Sequence, residues 1–348
     1  MENSRAQGLE ALSDAFGDRF RRHTDGGGLG AASVLPSGSE EVQELARISR
    51  RHGLTLVAVG AGTAPDASAP GDSVLVRFDL MRGVHLPHDS EASWAEAEPG
   101  ALWLQMDNEL RLWGKGLAVY PTSAPRATVG GWLATDGLGV GSFEYGRIRE
   151  NVLSASVVLA DGTLREVVGE ELGAFVWPQT GEGIVVGARL HTRRADTDVP
   201  FAATFAGPAA AGDLIGAVTE ISGSSLALWH LAFLSPAMSS MQGLGEEYLL
   251  FGAYPGEREE VVVDLGPKIE ANGGRLLEAA RAYRAWGERF YPVAPSRTTP
   301  GISRDFVPLH ELRRILDVRP GAAVQCTISR SGETLLLAMN TGDLATTH

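Results

Sequence analysis

The stretch Tyr120–Leu164 reads YPTSAPRATVGGWLATDGLGVGSFEYGRIRENVLSASVVLADGTL. Pro121-Thr122-Ser123 sets two hydroxyls in a proline-fixed turn, and Thr128-Val129-Gly130-Gly131 adds a run of backbone N–H groups with little side chain around them. Ala134, Thr135, Gly137, Gly139, Gly141 and Ser142 carry small residues over two more turns. Such a segment can lie against a flat ring and the chain attached to it, where larger side chains would collide. The stretch is expected to be mostly loop with one or two helical turns over 130–146. It then enters an apolar strand at Val152–Leu159, a hairpin turn at Ala160-Asp161-Gly162-Thr163, and a second strand at Leu164–Val168.

Upstream, Leu54–Val59 is a continuous apolar, β-branched run of the kind found in buried strands. It opens into Gly60-Ala61-Gly62-Thr63, whose consecutive N–H groups form a nest suited to a pyrophosphate. The segment lacks the third glycine and following helix of the dinucleotide fingerprint, because Ala64-Pro65-Asp66 continues as loop. On its own it also reads as a tight turn without a ligand. Together with 121–142 it reads as one half of a dinucleotide site.

Around these segments the pattern alternates strand and helix. Ala32–Leu35 is a short strand, and Ser39 with Glu40 and Glu41 opens a helix closed by Gly53. Val74–Phe78 and Ser93–Ala97 are strands, and 101–114 is an amphipathic helix with Leu102, Met106, Leu110 and Trp113 on one side. Ile184–Thr192 closes the region as a strand. Residues 195–213 are rich in Ala, Pro and Asp and read as a domain junction. Beyond it, helices are expected at Leu214–Ile221, Glu257–Asn272, Leu276–Arg289 and Val307–Ile315. Strands are expected at Leu226–Phe233, Tyr248–Tyr254, Ala322–Ser329 and 333–340.

The bulk composition narrows the partners. The chain has 348 residues with a net charge of −13, which disfavours nucleic acid and anionic membranes. No run reaches the roughly 18 apolar residues of a membrane span. The N-terminal MENSRAQGLEALSDAFGDRFRRH has no apolar core segment, so no signal peptide is expected and the cytoplasm is the expected compartment. The single cysteine, Cys326, lies in an apolar run and reads as a buried, inert thiol.

The two glycine segments, with Pro36-Ser37, Glu40-Glu41-Val42, Tyr145-Gly146, Val158–Gly162 and Gly181–Val185, resemble the p-cresol methylhydroxylase/vanillyl-alcohol oxidase superfamily of FAD-linked oxidases. Within it the chain is similar to the glycolate oxidase and D-lactate dehydrogenase flavoproteins. The resemblance covers residues 32–194. It implies an α+β fold: an FAD-binding domain of two α+β subdomains at 1–195, then a smaller, shortened α+β cap with an antiparallel sheet at 196–348. It implies that Gly60, Ala61, Gly62 and Thr63 hold the pyrophosphate. It also implies that Pro121, Thr122, Ser123, Thr128, Val129, Gly130, Gly131, Thr135, Gly139 and Ser142 line the ribityl chain and ring. Ile184 and Val185 would pack near the adenine. No histidine occurs in Gly60–Thr63 or Gly130–Ser142, so FAD is expected to be non-covalent.

The second half resembles the family's cap more faintly. Trp286-Gly287-Glu288-Arg289 matches a Trp-x-x-Arg segment, and Asp305 with Pro308 and Leu312 matches another. A helix-borne arginine can clamp a carboxylate bidentately, which makes Arg289 the substrate candidate with Arg304 behind it. An arginine packed on Trp286 in solvent is the alternative. His310 is the candidate base. His230, in an apolar strand, reads as a satisfied core histidine, and His85 and His88 read as exposed. The family's His-x-Gly-Asp-Gly-Asn-x-His segment corresponds to 323–332, which holds no histidine, and its closing Asn-Pro-Gly-Lys region is not reached. No metal site is expected.

The expected function is hydride transfer from a small hydroxy acid or alcohol to FAD, with electrons leaving to a partner or to oxygen. A second expectation, prompted by the missing histidines, is a non-catalytic flavin-binding subunit beside an iron–sulfur or flavoprotein subunit. A third is an NADPH-dependent reductase of UDP-N-acetylenolpyruvoylglucosamine, which shares the FAD domain.

Overall fold

A computed structural model describes residues 2–23, 30–63, 69–87, 91–177, 183–195, 197–258, 260–291, 302–318 and 321–339. In chain order the first elements are α1 (Glu2–Phe16), β1 (Phe20–Arg22), β2 (Ala32–Val34), α2 (Ser39–His52), β3 (Leu56–Val59) and β4 (Val74–Arg77). Next come β5 (Val84–His85), β6 (Trp94–Ala97), α3 (Trp103–Arg111), β7 (Lys115–Leu117), α4 (Val129–Leu133) and α5 (Ser142–Tyr145). They are followed by β8 (Val152–Leu159), β9 (Leu164–Val168), α6 (Leu172–Phe175), β10 (Gly183–Arg194), β11 (Asp198–Phe205) and α7 (Ala210–Ser222). Then come β12 (His230–Leu234), α8 (Pro236–Met241), β13 (Tyr248–Pro255), α9 (Glu260–Ala271), β14 (Arg275–Leu276) and α10 (Ala279–Gly287). The last are β15 (Ile302–Pro308), α11 (Leu312–Val318), β16 (Ala323–Ile328) and β17 (Glu333–Met339). Among the described residues no helix is long and apolar enough to cross a membrane.

Two compact units form. The first takes Met1–Leu110, Ala124–Asp136 and Val152–Arg193. Helix α2 shows how its sequence builds it. Glu40 and Glu41 lie in its first turn and Arg50, Arg51 and His52 in its last, which complements the helix dipole. Gly53 ends it at φ +67°, a left-handed cap that glycine adopts without strain. Its stripe of Val42, Leu45, Ala46 and Ile48 packs with Leu12 of α1, Val34, Val74, Val76 and Val158 into one core. The four-stranded sheet runs β1-β2-β4-β3, with β2, β4 and β3 parallel. The second sheet of this unit follows the order β5-β6-β10-β8-β9.

Strands β8 and β9 begin and end where the sequence places them. Strand β3 differs. It is half-buried, with Ala58 exposed, because it is the outer strand and has a partner only in β4. Helix α3 also differs: its buried side is Trp103, Met106, Asp107 and Leu110, while Trp113 lies beyond its end and is 72% exposed.

The second unit takes Arg111–Ser123, Gly137–Asn151 and Arg194–His348. Its seven-stranded sheet runs β14-β11-β13-β12-β16-β17-β15, with every pair antiparallel. One face packs Leu231, Phe233, Leu250, Cys326 and Leu336 with α7, α9 and α11 residues such as Leu214, Ile269 and Leu312. The other face packs Ala232, Leu234, Leu249 and Phe251 with Met238 of α8 and Ala282 and Ala285 of α10. Cys326 is buried, and burial pushes its thiol up to about 12, as an inert core thiol requires.

Three expectations change here. The division between the units falls at Arg193/Arg194, beside the start of the expected junction, but the stretch that follows contains β11, whose Phe201, Ala202, Ala203 and Phe205 fill both faces of the sheet. Pro200 is tolerated because β14 pairs only with Ala203 and Thr204, leaving its outer side unpaired. The expected helix from Val307 instead begins as β15, which pairs with β17 through Pro308↔Glu333, and the α-helix starts at Leu312. The helix expected from Leu276 starts at Ala279 because β14 takes Arg275 and Leu276. Arg289 therefore lies past the end of α10, on the following turn.

Candidate functional site

In the first unit, β3 runs parallel to β4 from Leu56↔Val74 to Val59↔Arg77, so Gly60 begins at the carboxyl end of a parallel strand. Ligands of open α/β sheets bind beyond such ends. Gly60, Ala61 and Gly62 are exposed, and Gly62 has φ +68°, a conformation that favours glycine. The N–H groups of Ala61, Gly62 and Thr63 donate no hydrogen bond among the described residues. Three consecutive free donors at a strand end suit a diphosphate.

The second glycine segment of this unit touches the first. A Cβ on Gly60 would lie 2.7 Å from Thr128 Oγ1 and 3.0 Å from Gly131 Cα. A Cβ on Gly131 would lie 2.9 Å from Thr128 Oγ1 and 3.3 Å from Gly60 Cα. The two side-chain-poor stretches therefore meet backbone to backbone. The N–H groups expected there to face a ligand are engaged inside the fold. Val129 N donates to Ala101 O at 2.8 Å, Gly130 N to Pro99 O at 2.9 Å, and Gly131 N to the capping Thr128 Oγ1 at 3.3 Å. Gly130 and Gly131 are thus needed for close approach, and the free donors belong to Ala61–Thr63. Thr135 is half-buried, its hydroxyl bound to Trp132 O at 2.8 Å. Ile184 and Val185 lie half-buried on β10, beside Val158 and Val157 of β8. Gly181 and Glu182 of the same motif, and His88, lie outside the described residues.

In the second unit, 117–123 lies along 137–142. Tyr120 and Val140 exchange backbone hydrogen bonds of 3.0 and 2.8 Å. A Cβ on Gly139 would sit 2.1 Å from Tyr120 O, so only glycine fits. The buried Ser142 Oγ accepts from Gly139 N at 2.8 Å. Pro121 and Thr122 are buried and Ser123 half-buried. The Thr122 carbonyl accepts from Tyr291 N at 2.9 Å, which ties this segment to the turn carrying Arg289.

Arg289 is half-buried, with its guanidinium 4.6 Å from the Trp286 ring centre and 4.3 Å from that of Phe290. Its Nε donates to Tyr120 Oη at 3.2 Å and its Nη1 to Trp286 O at 2.9 Å. It has no carboxylate partner among the described residues. Arg304 is half-buried on β15. His310 is exposed on the turn after β15 and makes no side-chain hydrogen bond among the described residues. His85 is exposed.

His230 corrects the expectation of a satisfied core histidine. It is fully buried, but both ring nitrogens lack partners among the described residues. Burial, and then the Arg289 charge, hold it down at about 3, so it is neutral. Its ring sits 5.8 Å from that of Trp286 and 6.0 Å from that of Phe251. The sequence signal was a histidine at the start of an apolar strand, which does not say whether a partner waits across the sheet. Among the described residues no three His, Cys, Asp or Glu side chains converge as a metal group.

The family described as FAD binding domain matches residues 30–167. Alkyldihydroxyacetonephosphate synthase of Trypanosoma brucei brucei is 26% identical over 175 residues, 47% of this chain and 28% of that protein. D-2-hydroxyglutarate dehydrogenase of Escherichia coli K12 is 28% identical over 156 residues, 43% of this chain and 15% of that one. Probable mitochondrial D-lactate dehydrogenase of Danio rerio is 33% identical over 139 residues, 39% of this chain and 27% of that one. The chain thus matches less than a third of these relatives' length. Among solved structures, p-cresol methylhydroxylase with substrate bound superposes with a TM-score of 0.78 at 14% identity, covering 99% of this chain and 84% of that one. Alkyldihydroxyacetonephosphate synthase superposes at 0.76 and 15% identity, covering 98% and 82%. At these identities the superpositions speak to the fold.

Proposed function

We propose that the chain, whose residues 30–167 match the FAD binding domain family and whose fold is similar to that of p-cresol methylhydroxylase, is an FAD-dependent oxidoreductase acting on a small 2-hydroxy acid or alcohol. The observation that carries the FAD part is the backbone contact of Gly60 with Gly131 beside three free N–H groups at Ala61–Thr63. These donors hold the pyrophosphate, and Thr135 of the same unit supplies low-profile surface beside them. Bound FAD supplies the hydride acceptor at its N5. The cofactor is held without a covalent bond, because Gly60–Thr63 and Gly130–Ser142 offer no histidine.

Arg289 holds the substrate carboxylate. Its aromatic neighbours fix the guanidinium plane, and Nη2 has no partner among the described residues. His310 enters as a proton acceptor open to solvent, supported only by its exposure. D-2-hydroxyglutarate and D-lactate, named for two relatives, are the first substrates to try. The test is the visible spectrum of the purified protein, then anaerobic bleaching with those acids and glycolate. A colourless protein that takes up no FAD ends the proposal. Acid precipitation should release the flavin to the supernatant.

A second reading is favoured by β16, where Gln325, Cys326 and Thr327 stand in the strand that resembles the family's histidine segment. The chain would then relay electrons as the flavin subunit of a complex with an iron–sulfur or second flavin subunit. Ordinary turnover of a hydroxy acid by the isolated chain would rule this out.

A further inference from the structure

Four buried polar atoms on three residues of the second unit stand without partners among the described residues. His230 is fully buried with both ring nitrogens unpartnered among the described residues. Gln325 of β16 is 1% exposed: its Nε2 donates to the Arg289 carbonyl at 2.8 Å, while its Oε1 is unpartnered. The buried Tyr291 hydroxyl, two residues past Arg289, is unpartnered as well. Buried polar groups in folded proteins nearly always find partners, so a cluster of exceptions calls for a missing one.

The sheet sets their relation: His230 and Gln325 share a face, four residues apart in register. Strands β12 and β16 are antiparallel neighbours, paired from Ala232↔Thr327 to Leu234↔Gln325. Side chains alternate along strands, so His230 and Gln325 fall on the same face, the one that carries Ala232, Leu234 and Tyr291. Trp286 spans the gap: the His230 ring lies 5.8 Å from it and the Arg289 guanidinium 4.6 Å from it.

We infer that His230 recognises the hydroxyl of a small 2-hydroxy acid whose carboxylate lies on Arg289, while Gln325 holds the carbonyl of the turn that carries Arg289. His230 would thereby select hydroxy acids over the same acids without the hydroxyl. This rests on the reading of Arg289 above and adds the residue that determines specificity. A neutral imidazole offers one donor and one acceptor, and a hydroxyl offers one donor and two lone pairs, so the two can pair. The depressed His230 value keeps the ring neutral beside Arg289, so it can both donate and accept. An acid lacking the hydroxyl leaves the ring nitrogens unpaired, which is how sites of this kind reject an analogue. The neutral ring carries no net charge into the site, so the single Arg289 charge stays matched to the single carboxylate.

The experiment uses FAD-loaded protein and two acids differing by one hydroxyl, 2-hydroxy-2-methylpropanoate and 2-methylpropanoate. The first has no α-hydrogen to transfer, so binding is read without turnover, from the perturbed flavin absorption. Wild type should prefer the hydroxy acid by at least about tenfold, and His230→Phe should bring the two within about twofold while leaving the affinity for 2-methylpropanoate unchanged. A His230→Phe protein with the wild-type preference overturns the inference and leaves the Arg289 reading standing. If wild type and Arg289→Ala bind both acids equally poorly, the proposed substrate class falls and this inference with it. If His230→Phe fails to retain FAD, nitrogen NMR of the wild-type imidazoles decides. The His230 signals should move with the hydroxy acid and stay still with its analogue. Unmoved signals would mean that water satisfies these nitrogens, and would overturn the inference.

Discussion

The first unit brings backbone against backbone at its glycine segments, and the second gathers side chains around Arg289. At Gly60–Thr63 and Thr128–Gly131 what matters is the absence of side chain: a Cβ on Gly60 would collide with Thr128 and Gly131. Around Arg289 what matters is the identity of side chains on separate elements: Tyr120, His230, Trp286 and Gln325. A backbone site tolerates only subtraction, so its sequence signature is a cluster of small residues. A side-chain site is assembled by strand pairing and leaves no local signature.

This contrast can be broken by mutation. Arg289→Ala should lower flavin reduction by hydroxy acids at least about thirtyfold, the low end of 2–5 kcal/mol for losing one partner of a charged pair. The FAD content of the purified protein should not change. If FAD is lost as well, the division of labour is wrong. Gly60→Val should act the opposite way. Forcing the two backbones apart costs about 1–3 kcal/mol, so FAD affinity, titrated by flavin fluorescence, should fall about tenfold. Full occupancy in that variant would deny the cradle its role.

Thr128→Ala sharpens the comparison by removing the side chain that caps α4 without adding bulk. It should destabilise the first unit by about 1 kcal/mol in urea unfolding. The smallest expected effect lies in the first turn of α2. Glu41 accepts from Arg19 at 2.6 Å and from Ser37 N at 2.7 Å, and these contacts, Arg19 first, hold its carboxyl down at about 2. A depressed acid stabilises the fold above its ordinary titration, and that stability is lost as pH falls through about 2. Both side chains are about one-third exposed, so screening leaves less than about 1 kcal/mol. Glu41→Gln should therefore unfold slightly earlier at pH 7 and match wild type as the pH approaches 2.

Local pattern located much of the first unit. Val152–Leu159 and Leu164–Val168 were legible because a turn sequence separates two β-branched runs, and α2 because its charges and Gly53 mark its ends. The outer position of β3 was not legible, since sheet order is not a local property. In the second unit, Pro200 and Pro308 disguised strands β11 and β15, which are stabilised by pairing with distant β13 and β17. Arg289 was visible through its Trp-x-x-Arg context. The unsatisfied state of His230 was not, because only the packed sheet shows what lies across from an imidazole.

By itself the sequence determined where the chain carries no side chain, and sterics then dictate that backbone can approach backbone at Gly60 and Gly131. Only the tertiary structure decided which of the two glycine segments keeps free N–H groups, since Ala101 and Pro99 occupy those of Val129 and Gly130. It also decided which side chains surround Arg289. Antiparallel register brings residues distant in the chain onto one face of a sheet, and no spacing within the sequence encodes that neighbourhood.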